Sequence, residues 1–448
     1  MKGRTPLLAL AAVFAALAAG CAPSKGEATP APDGPAKREW TAASTADEIA
    51  AWAAEGCRQA EWEARQTCLE GALVSTIEPA GVDRTMGALL KLAAADEDIR
   101  REGHVLAHGI GIAAYESPET VSRTFALCTA DFQSGCYHGV IQGYFADGRG
   151  AGAGVTAEKL NALCADYRDD PSKRWVSFQC GHGMGHGVMA VYRHHLFKAL
   201  DACDLLADHR DRTACYGGAF MENVVNATNP HHTSTTQSHG GGEGHGAHGG
   251  SSDHAPAGGG HGHHGGASGD HGATAEEPFK ALDPADPLYP CTAVKEHHRF
   301  ACYQMQTSAI LYNNDGDFAE ASRLCGTAPE DMVRVCFTSL GRDANAWGRG
   351  ERDRVIAYCD AAPEAQRPWC VVGAVKNVVD VTADPADGFD FCRAVPRGGS
   401  KNACYRAVGE HITLLHAERP ARERVCAGAE YAYADECRRG ANLLPRDG

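Results

Sequence analysis

The chain has 448 residues, of which 44% are hydrophobic, so it is long enough for two or three ordinary domains or for one long repeat array. Its formal net charge is −15, and acidic and basic residues are interspersed along it. This distribution argues against a nucleic-acid-binding protein, which would need a basic surface. Beyond residue 20 no apolar run is long enough to span a bilayer.

The first twenty residues have the layout of a secretory signal peptide. Lys2 and Arg4 precede an apolar run that ends at Leu17, and the sequence AAGC follows, ending at Cys21. This stretch resembles a bacterial lipoprotein signal, which implies cleavage before Cys21, lipidation of that cysteine and a membrane-anchored protein on the periplasmic or surface face of the cell envelope. The leucine that is typical of lipoprotein signals, here Leu17, lies one place earlier than usual. A soluble secreted form is therefore the alternative. Residues 21–47 are predicted to be a flexible tether.

Cysteines give the strongest signal in the rest of the chain. Nineteen are present, and apart from Cys21 they fall into nine successive pairs, which in an exported protein predict nine disulfides. The predicted bonds are Cys57–Cys68, Cys128–Cys136, Cys164–Cys180, Cys203–Cys215, Cys291–Cys302, Cys325–Cys336, Cys359–Cys370, Cys392–Cys404 and Cys426–Cys437. The second members of the last five pairs recur about every 34 residues, a period typical of two-helix solenoid repeats. Glu102 takes this place in a unit without a cysteine pair, which brings the total to about ten units.

Each unit has the pattern of two helices joined by a short turn. In the unit around Cys359, apolar residues recur at spacings of three and four, and Ala362-Pro363-Glu364 interrupts them. The first cysteine then lies late in one helix and the second early in the next, so a disulfide would clasp the hairpin. Small residues three places after the second cysteine would allow close packing: Gly71, Gly139, Gly183, Gly218, Ser339, Gly373, Ala407 and Gly440. We predict an all-α fold, a right-handed α-solenoid of about ten disulfide-clasped hairpins.

An exported array of this kind resembles the cysteine-rich, Sel1-like repeat proteins of bacteria, which are related in architecture to tetratricopeptide arrays. The resemblance covers about residues 48 to 445 and concerns cysteine pairing and repeat length. It implies a solenoid that binds a ligand or a partner rather than one that catalyses a reaction. The array would comprise N-terminal repeats at 48–228 and C-terminal repeats at 278–448.

A low-complexity insert, residues 229–277, separates these two sets of repeats. It consists mostly of Gly, His, Ser, Ala and Thr, and it is predicted to be a disordered loop because it has too little apolar surface to offset its ordering entropy. Ten histidines lie in it: His231, His232, His239, His245, His248, His254, His261, His263, His264 and His271. We expect them, above all His245, His248, His261, His263 and His264, to gather divalent metal ions, and a plain spacer is the alternative.

Histidines of the N-terminal repeats recur at fixed distances after the position of the second cysteine of each unit. His104, His138 and His182 lie two places after that position, and His108, Gln142 and His186 lie six places after it. Residues four apart share one face of a helix, so each helix presents a stacked polar pair. The predicted metal ligands are His104, His108, His138, His182 and His186, with Gln142, Glu102 and Glu222 as additional candidates. Since disulfide-bonded cysteines supply no thiolate, an imidazole site suited to Cu, Zn or Ni is expected.

Other interpretations of these histidines are open. They could form a buried polar stripe in a protein-interaction scaffold that binds a partner along its concave face, or they could serve a His-ligated metalloenzyme or a noncovalent haem. Neither HVLAH nor HGMGH has the glutamate of a zincin protease, and no Cys-x-x-Cys-His is present. Packed helices lie 8–10 Å apart, so two smaller sites are an alternative to one shared by three helices. Histidines outside this pattern are expected on the surface or in packing: His194, His195, His297, His298, His411 and His416.

Overall fold

The computed structural model describes residue 35 and residues 37–147, 154–228 and 279–445. Within these residues the protein is all-helical and contains no strand, which confirms the predicted fold class. The predicted signal peptide, Cys21 and the insert at 229–277 lie outside the described residues. None of the described helices combines the length and the apolar character needed to cross a membrane.

Twelve helices precede the insert among the described residues. They are α1 (Ala46–Gly56), α2 (Trp62–Val74), α3 (Ile77–Ala80), α4 (Val82–Ala95), α5 (Glu97–Ala114), α6 (Val121–Phe125), α7 (Asp131–Ala146), α8 (Ala157–Leu163), α9 (Ala165–Arg168), α10 (Arg174–Val191), α11 (Leu196–Cys203) and α12 (His209–Thr228). The predicted tether ends earlier than residue 47, because Trp40 is buried and packs edge-on against Trp52 of α1.

Ten more helices follow the insert in the described part of the chain. They are α13 (Glu296–Tyr303), α14 (Gln306–Asn313), α15 (Phe318–Cys325), α16 (Glu330–Trp347), α17 (Arg352–Asp360), α18 (Arg367–Thr382), α19 (Pro385–Ala394), α20 (Gly399–Leu415), α21 (Arg419–Cys426) and α22 (Ala434–Gly440). The unit of α13 and α14 departs from the predicted hairpin, because its first cysteine, Cys291, lies in a run of turns. This segment contains Pro284, Pro287 and Pro290, which lack the amide hydrogens of a helix.

Disulfides clasp the hairpins as the sequence predicts. All nine predicted bonds are present, with Cα–Cα distances of 5.4–5.9 Å. The bond Cys325–Cys336, for example, joins the end of α15 to the first turns of α16. In the chain-entropy model a loop of this size stabilises the folded state by roughly 2–3 kcal/mol.

The longer helices of successive units stack side by side and touch through glycines. A Cβ added to Gly111 of α5 would lie 2.1 Å from the carbonyl oxygen of Cys136, and one added to Gly139 of α7 would lie 2.1 Å from that of His108. The same reciprocal contact recurs in three more helix pairs: Gly185 with Gly218 (α10 and α12), Gly341 with Gly373 (α16 and α18), and Gly409 with Gly440 (α20 and α22). Any side chain at these positions would push the two helices apart.

These contacts also align the repeats. Gly139 faces the carbonyl oxygen of His108, and Gly218, at the corresponding place of the α10–α12 pair, faces that of His182. His108 is therefore the structural equivalent of His182.

The predicted alignment of the second unit is wrong by one helical turn. Because His108 corresponds to His182, which lies two places after its cysteine, Leu106 takes the cysteine position of this unit and Glu102 lies four residues before it. The error arises because a unit without cysteines has no marker in the sequence, and the extra helix α3 lengthens the chain ahead of it.

The array curves until distant units meet. Helix α7 contacts α18, helix α10 contacts α20, and Arg349, just after α16, forms an ion pair with Glu97 at the start of α5. Each of these contacts joins units five apart in the series, so the array completes a turn in about five units. This curvature brings the inner faces of several helices close together.

Candidate metal centre

All five histidines of the predicted site lie in one cluster. The rings of His108 and His186 are 5.2 Å apart between centroids, His138 lies 5.2 Å from His186 and 4.7 Å from His182, and His104 lies 5.5 Å from His138. Helices α5, α7 and α10 therefore meet, and each of them contributes histidines to the cluster. The five histidines thus form one continuous cluster rather than two separate groups.

Glycines on α7 and α10 make this convergence possible. Gly135 lies against the backbone of His104, and a Cβ there would be 2.5 Å from its carbonyl oxygen. On α10, a Cβ added to Gly183 would lie 3.0 Å from the side chain of Ile141 of α7. Because these positions carry no side chain, the helices approach closely enough for imidazoles on three of them to touch.

Three histidines form the core of the cluster. His108, His138 and His186 are at most 2% exposed, and each offers a ligand atom that lies within 4.8 Å of the other two. Nitrogen ligands of a tetrahedral Zn²⁺ lie at 2.0–2.1 Å from the ion, which places them roughly 3.4 Å from one another. The triad could therefore hold a metal ion after a small inward movement of its rings.

Hydrogen bonds set the tautomers of two of these rings. His186 Nδ1 donates to Glu222 Oε2 at 2.8 Å, and Glu222 itself is 1% exposed on α12. His138 Nε2 donates to Gln179 Oε1 at 2.8 Å. The second nitrogen of each ring, His186 Nε2 and His138 Nδ1, then carries a lone pair, and both atoms are buried with no hydrogen-bond partner among the described residues. A carboxylate that orients a histidine in this way is a common arrangement around metal ligands.

The two remaining histidines flank the triad. His182 Nε2 lies 3.4 Å from the sulfur of Met221, and its ring contacts those of His138 and His186. His104 Nδ1 donates to the backbone carbonyl of Phe132 at 2.9 Å. This carbonyl is placed by a left-handed turn, in which Phe132 and the next two residues have φ of 53°, 52° and 62°.

Electrostatics favour the neutral form of two rings of the cluster, His138 and His182. Burial lowers the pKa of both His138 and His182 well below the usual range, and neighbouring imidazoles lower it further. Both rings are therefore neutral at physiological pH. A neutral imidazole has the free lone pair that a metal ion requires.

Of the additional ligands predicted, Glu222 is hydrogen-bonded to the triad through His186. Gln142 is buried one turn beyond His138, and its Oε1 has no hydrogen-bond partner in the described part of the chain. Glu102 is only half-buried and is not part of the triad. The predicted metal-gathering histidines of the insert lie outside the described residues.

The sequence pattern does not mark three residues that lie beside the cluster: Gln179, Met221 and His194. Met221 lies six places after Cys215, the place of His186 in the preceding unit, so extending the pattern by one unit would have found it. Gln179 shares the face of α10 that carries His182 and His186. His194, expected on the surface or in packing, reaches Glu222 with its Nδ1 at 3.6 Å because Arg193 and His194 adopt positive φ.

Comparison of the chain with protein-family models, with curated proteins and with solved structures found no match. The resemblance to Sel1-like repeats therefore stays a prediction. The site must be interpreted from its own chemistry.

Proposed function

We propose that this protein binds a divalent transition-metal ion tightly, for sequestration or delivery, through His108, His138 and His186. The observation that carries the proposal is the pair of buried, unsatisfied ring nitrogens on His138 and His186, each fixed by a hydrogen bond on the opposite side of its ring. Leaving such atoms unpaired costs free energy, which a bound ion would recover. His104 and His182 complete the imidazole surroundings.

The donor set limits the metal. Every cysteine of the described residues is in a disulfide, so none supplies a thiolate. An imidazole site suits Cu, Zn or Ni, and copper leads in intrinsic affinity. The sulfur of Met221 beside His182 is a soft donor, and soft donors favour copper over zinc or nickel.

The location follows from the same cysteines. Nine disulfides are typical of proteins in an oxidising, extracytoplasmic compartment. Together with the lipoprotein-like start of the sequence, they support a protein anchored to the membrane through a lipid on Cys21, with the histidines of the insert gathering ions for the buried site.

Metal content is the direct test. We suggest expressing the full-length chain without an affinity tag and with the ten insert histidines replaced by serine. The protein should be purified from the native compartment, and its metal content should be measured by elemental analysis. We expect close to one equivalent of one transition metal to stay in this buried site after dialysis against a chelator that removes ions from solvent-accessible positions. The variant His138→Gln/His186→Gln should lose it.

The matched control is His416→Gln, since His416 lies outside the cluster and should keep the full metal content. Circular dichroism establishes that each variant is folded. Substoichiometric metal in the parent protein, or equal metal content in the parent and the His138→Gln/His186→Gln variant, would rule out the proposal.

A further inference from the structure

A second group of metal-type ligands lies away from the histidine cluster. Asp204, the residue after α11, faces His297 and His298 of α13, and the ligand atoms of all three lie within 4.8 Å of one another. The sequence predicts both histidines on the surface or in packing, and His297 is indeed exposed while His298 is buried. In addition, both direct their Nε2 atoms at one carboxylate oxygen.

The geometry of this group is close to that of a coordinated ion. Asp204 Oδ1 lies 2.9 Å from His298 Nε2 and 3.1 Å from His297 Nε2. Ligands on a tetrahedral ion with bonds of about 2.0–2.2 Å are roughly 3.3–3.5 Å apart. An ion could enter between these atoms after movements of a few tenths of an ångström. Each imidazole would bind the ion through Nε2 in the tautomer that carries its proton on Nδ1.

The shared oxygen has more donors than it has lone pairs. Asp204 Oδ1 accepts from the Tyr216 hydroxyl at 2.6 Å as well as from the two imidazoles. A carboxylate oxygen offers about two lone-pair directions, so three donors crowd it. With an ion present, both imidazoles would bind the metal, and the oxygen would keep Tyr216 as its one donor.

Charge and packing at this place are compatible with a cation. Lys295 Nζ lies 2.7 Å from Asp201 and 3.2 Å from Asp204, so these three groups together carry one net negative charge. His298 is 2% exposed, and its ring lies edge-on to Tyr216 with centroids 4.6 Å apart. The side chain of His297 is 54% exposed, which gives an ion direct access from solvent.

A surface cleft adjoins the group on its open side. It has a volume of about 330 Å³ and is lined by Asp204, His209, Arg212, Thr213, Tyr216 and His297. An ion held by three protein ligands would have its remaining coordination positions directed at this cleft. Water or a small anion attracted by Arg212 could occupy them.

We propose that Asp204, His297 and His298 form a second, solvent-accessible site for a divalent transition-metal ion, with open coordination positions facing the cleft. Asp204 precedes the insert at 229–277 and the two histidines follow it, so the ion would join the units on either side of the insert. The proposal does not depend on the buried cluster.

Cobalt binding tests this site separately from the cluster. We suggest titrating Co²⁺ into the full-length protein that carries both the serine-substituted insert and His138→Gln/His186→Gln, and recording the visible d–d absorption of the ion. One equivalent should bind with the spectrum of a low-coordinate, mixed nitrogen–oxygen site, and excess Zn²⁺ should displace it. Adding His297→Ala should weaken binding by at least about tenfold, because one ligand is lost.

His209→Ala is the matched control, since His209 is an exposed histidine that lines the same cleft and is not a ligand. It should leave the Co²⁺ affinity unchanged. His297 is exposed enough for its loss to leave folding intact, which thermal unfolding of the metal-free variants can check. Absence of the d–d absorption, or equal Co²⁺ affinity with and without His297→Ala, would show that the three residues form a hydrogen-bonded cluster only.

Discussion

At the scale of single residues, the site depends on side chains that orient the histidines. Glu222 is buried on α12 and accepts the Nδ1 proton of His186 at 2.8 Å, while His194 approaches its other oxygen at 3.6 Å. Glu222 thereby fixes the tautomer of His186 in which Nε2 carries the lone pair.

We predict that Glu222→Gln lowers metal affinity by about 10–100-fold without unfolding the protein, because the amide keeps the shape of the side chain and loses the charge that stabilises the bound form. Competition with a chromophoric chelator measures the change. Glu418→Gln, at an exposed glutamate, is the control and should have no effect. An unchanged affinity in Glu222→Gln would mean that His186 is not a ligand.

Met221 allows a test of metal preference. Its sulfur is 3.4 Å from His182 Nε2, and thioethers bind Cu⁺ well and Zn²⁺ poorly. Met221→Leu should therefore weaken Cu⁺ binding and leave Zn²⁺ binding nearly unchanged, as measured by competition titrations with each ion. Met86→Leu, a buried substitution on α4, should change neither affinity. Equal losses for both ions would point to altered packing and would contradict a role for the sulfur.

At the scale of helices, the reciprocal glycine contacts bring the histidines together. A Cβ at Gly139 would lie 2.1 Å from the backbone oxygen of His108, whereas a Cβ at Gly71, on α2, would meet no atom within 4 Å. Helix α7 could tolerate alanine at position 139 only by moving away from α5. The distance between the His108 and His138 rings therefore depends on helix packing at this residue.

We expect Gly139→Ala to lower the free energy of unfolding by about 1–3 kcal/mol through overpacking, and to weaken metal binding as well. Gly71→Ala should stabilise the protein by roughly 0.5–1 kcal/mol, since alanine is the better helix former where space is free. Urea denaturation with the disulfides intact measures both. The prediction is wrong if the two substitutions have the same effect.

The helices also show which parts of the fold and of the candidate site could be predicted from the sequence. Cysteine spacing marks the hairpin turns directly, so all nine disulfides and the helical fold could be predicted. The unit of α4 and α5 lacks cysteines, so nothing marked its alignment, and Glu102 was placed where Leu106 belongs. Contact between His108 and His186 also escaped prediction, because it depends on how tightly the array curves rather than on any local pattern.

At the scale of the whole molecule, the array bends back on itself and its two halves touch. Helix α7 contacts both its neighbours and α18, and α10 contacts α20. The cluster therefore lies on helices that also form the contact with the C-terminal repeats. An ion that joins α5, α7 and α10 would restrict the opening of both parts of the molecule.

Hydrogen exchange should detect this restriction. We predict that metal loading slows amide exchange most in α5, α7 and α10, where the ligands lie, less in α18 and α20, and not in α1 or α22, which lie at the ends of the array. Mass spectrometry of the metal-free and loaded protein measures it. Uniform protection of all units, or none, would be inconsistent with one ion held at the junction of these three helices.

The most direct test of the central claim is an anomalous-scattering map from crystals grown with one equivalent of Zn²⁺. We predict a single strong peak about 2.1 Å from nitrogens of His108, His138 and His186, with His186 still bonded to Glu222. A map with the peak elsewhere, or with no peak between these three rings, would contradict the account.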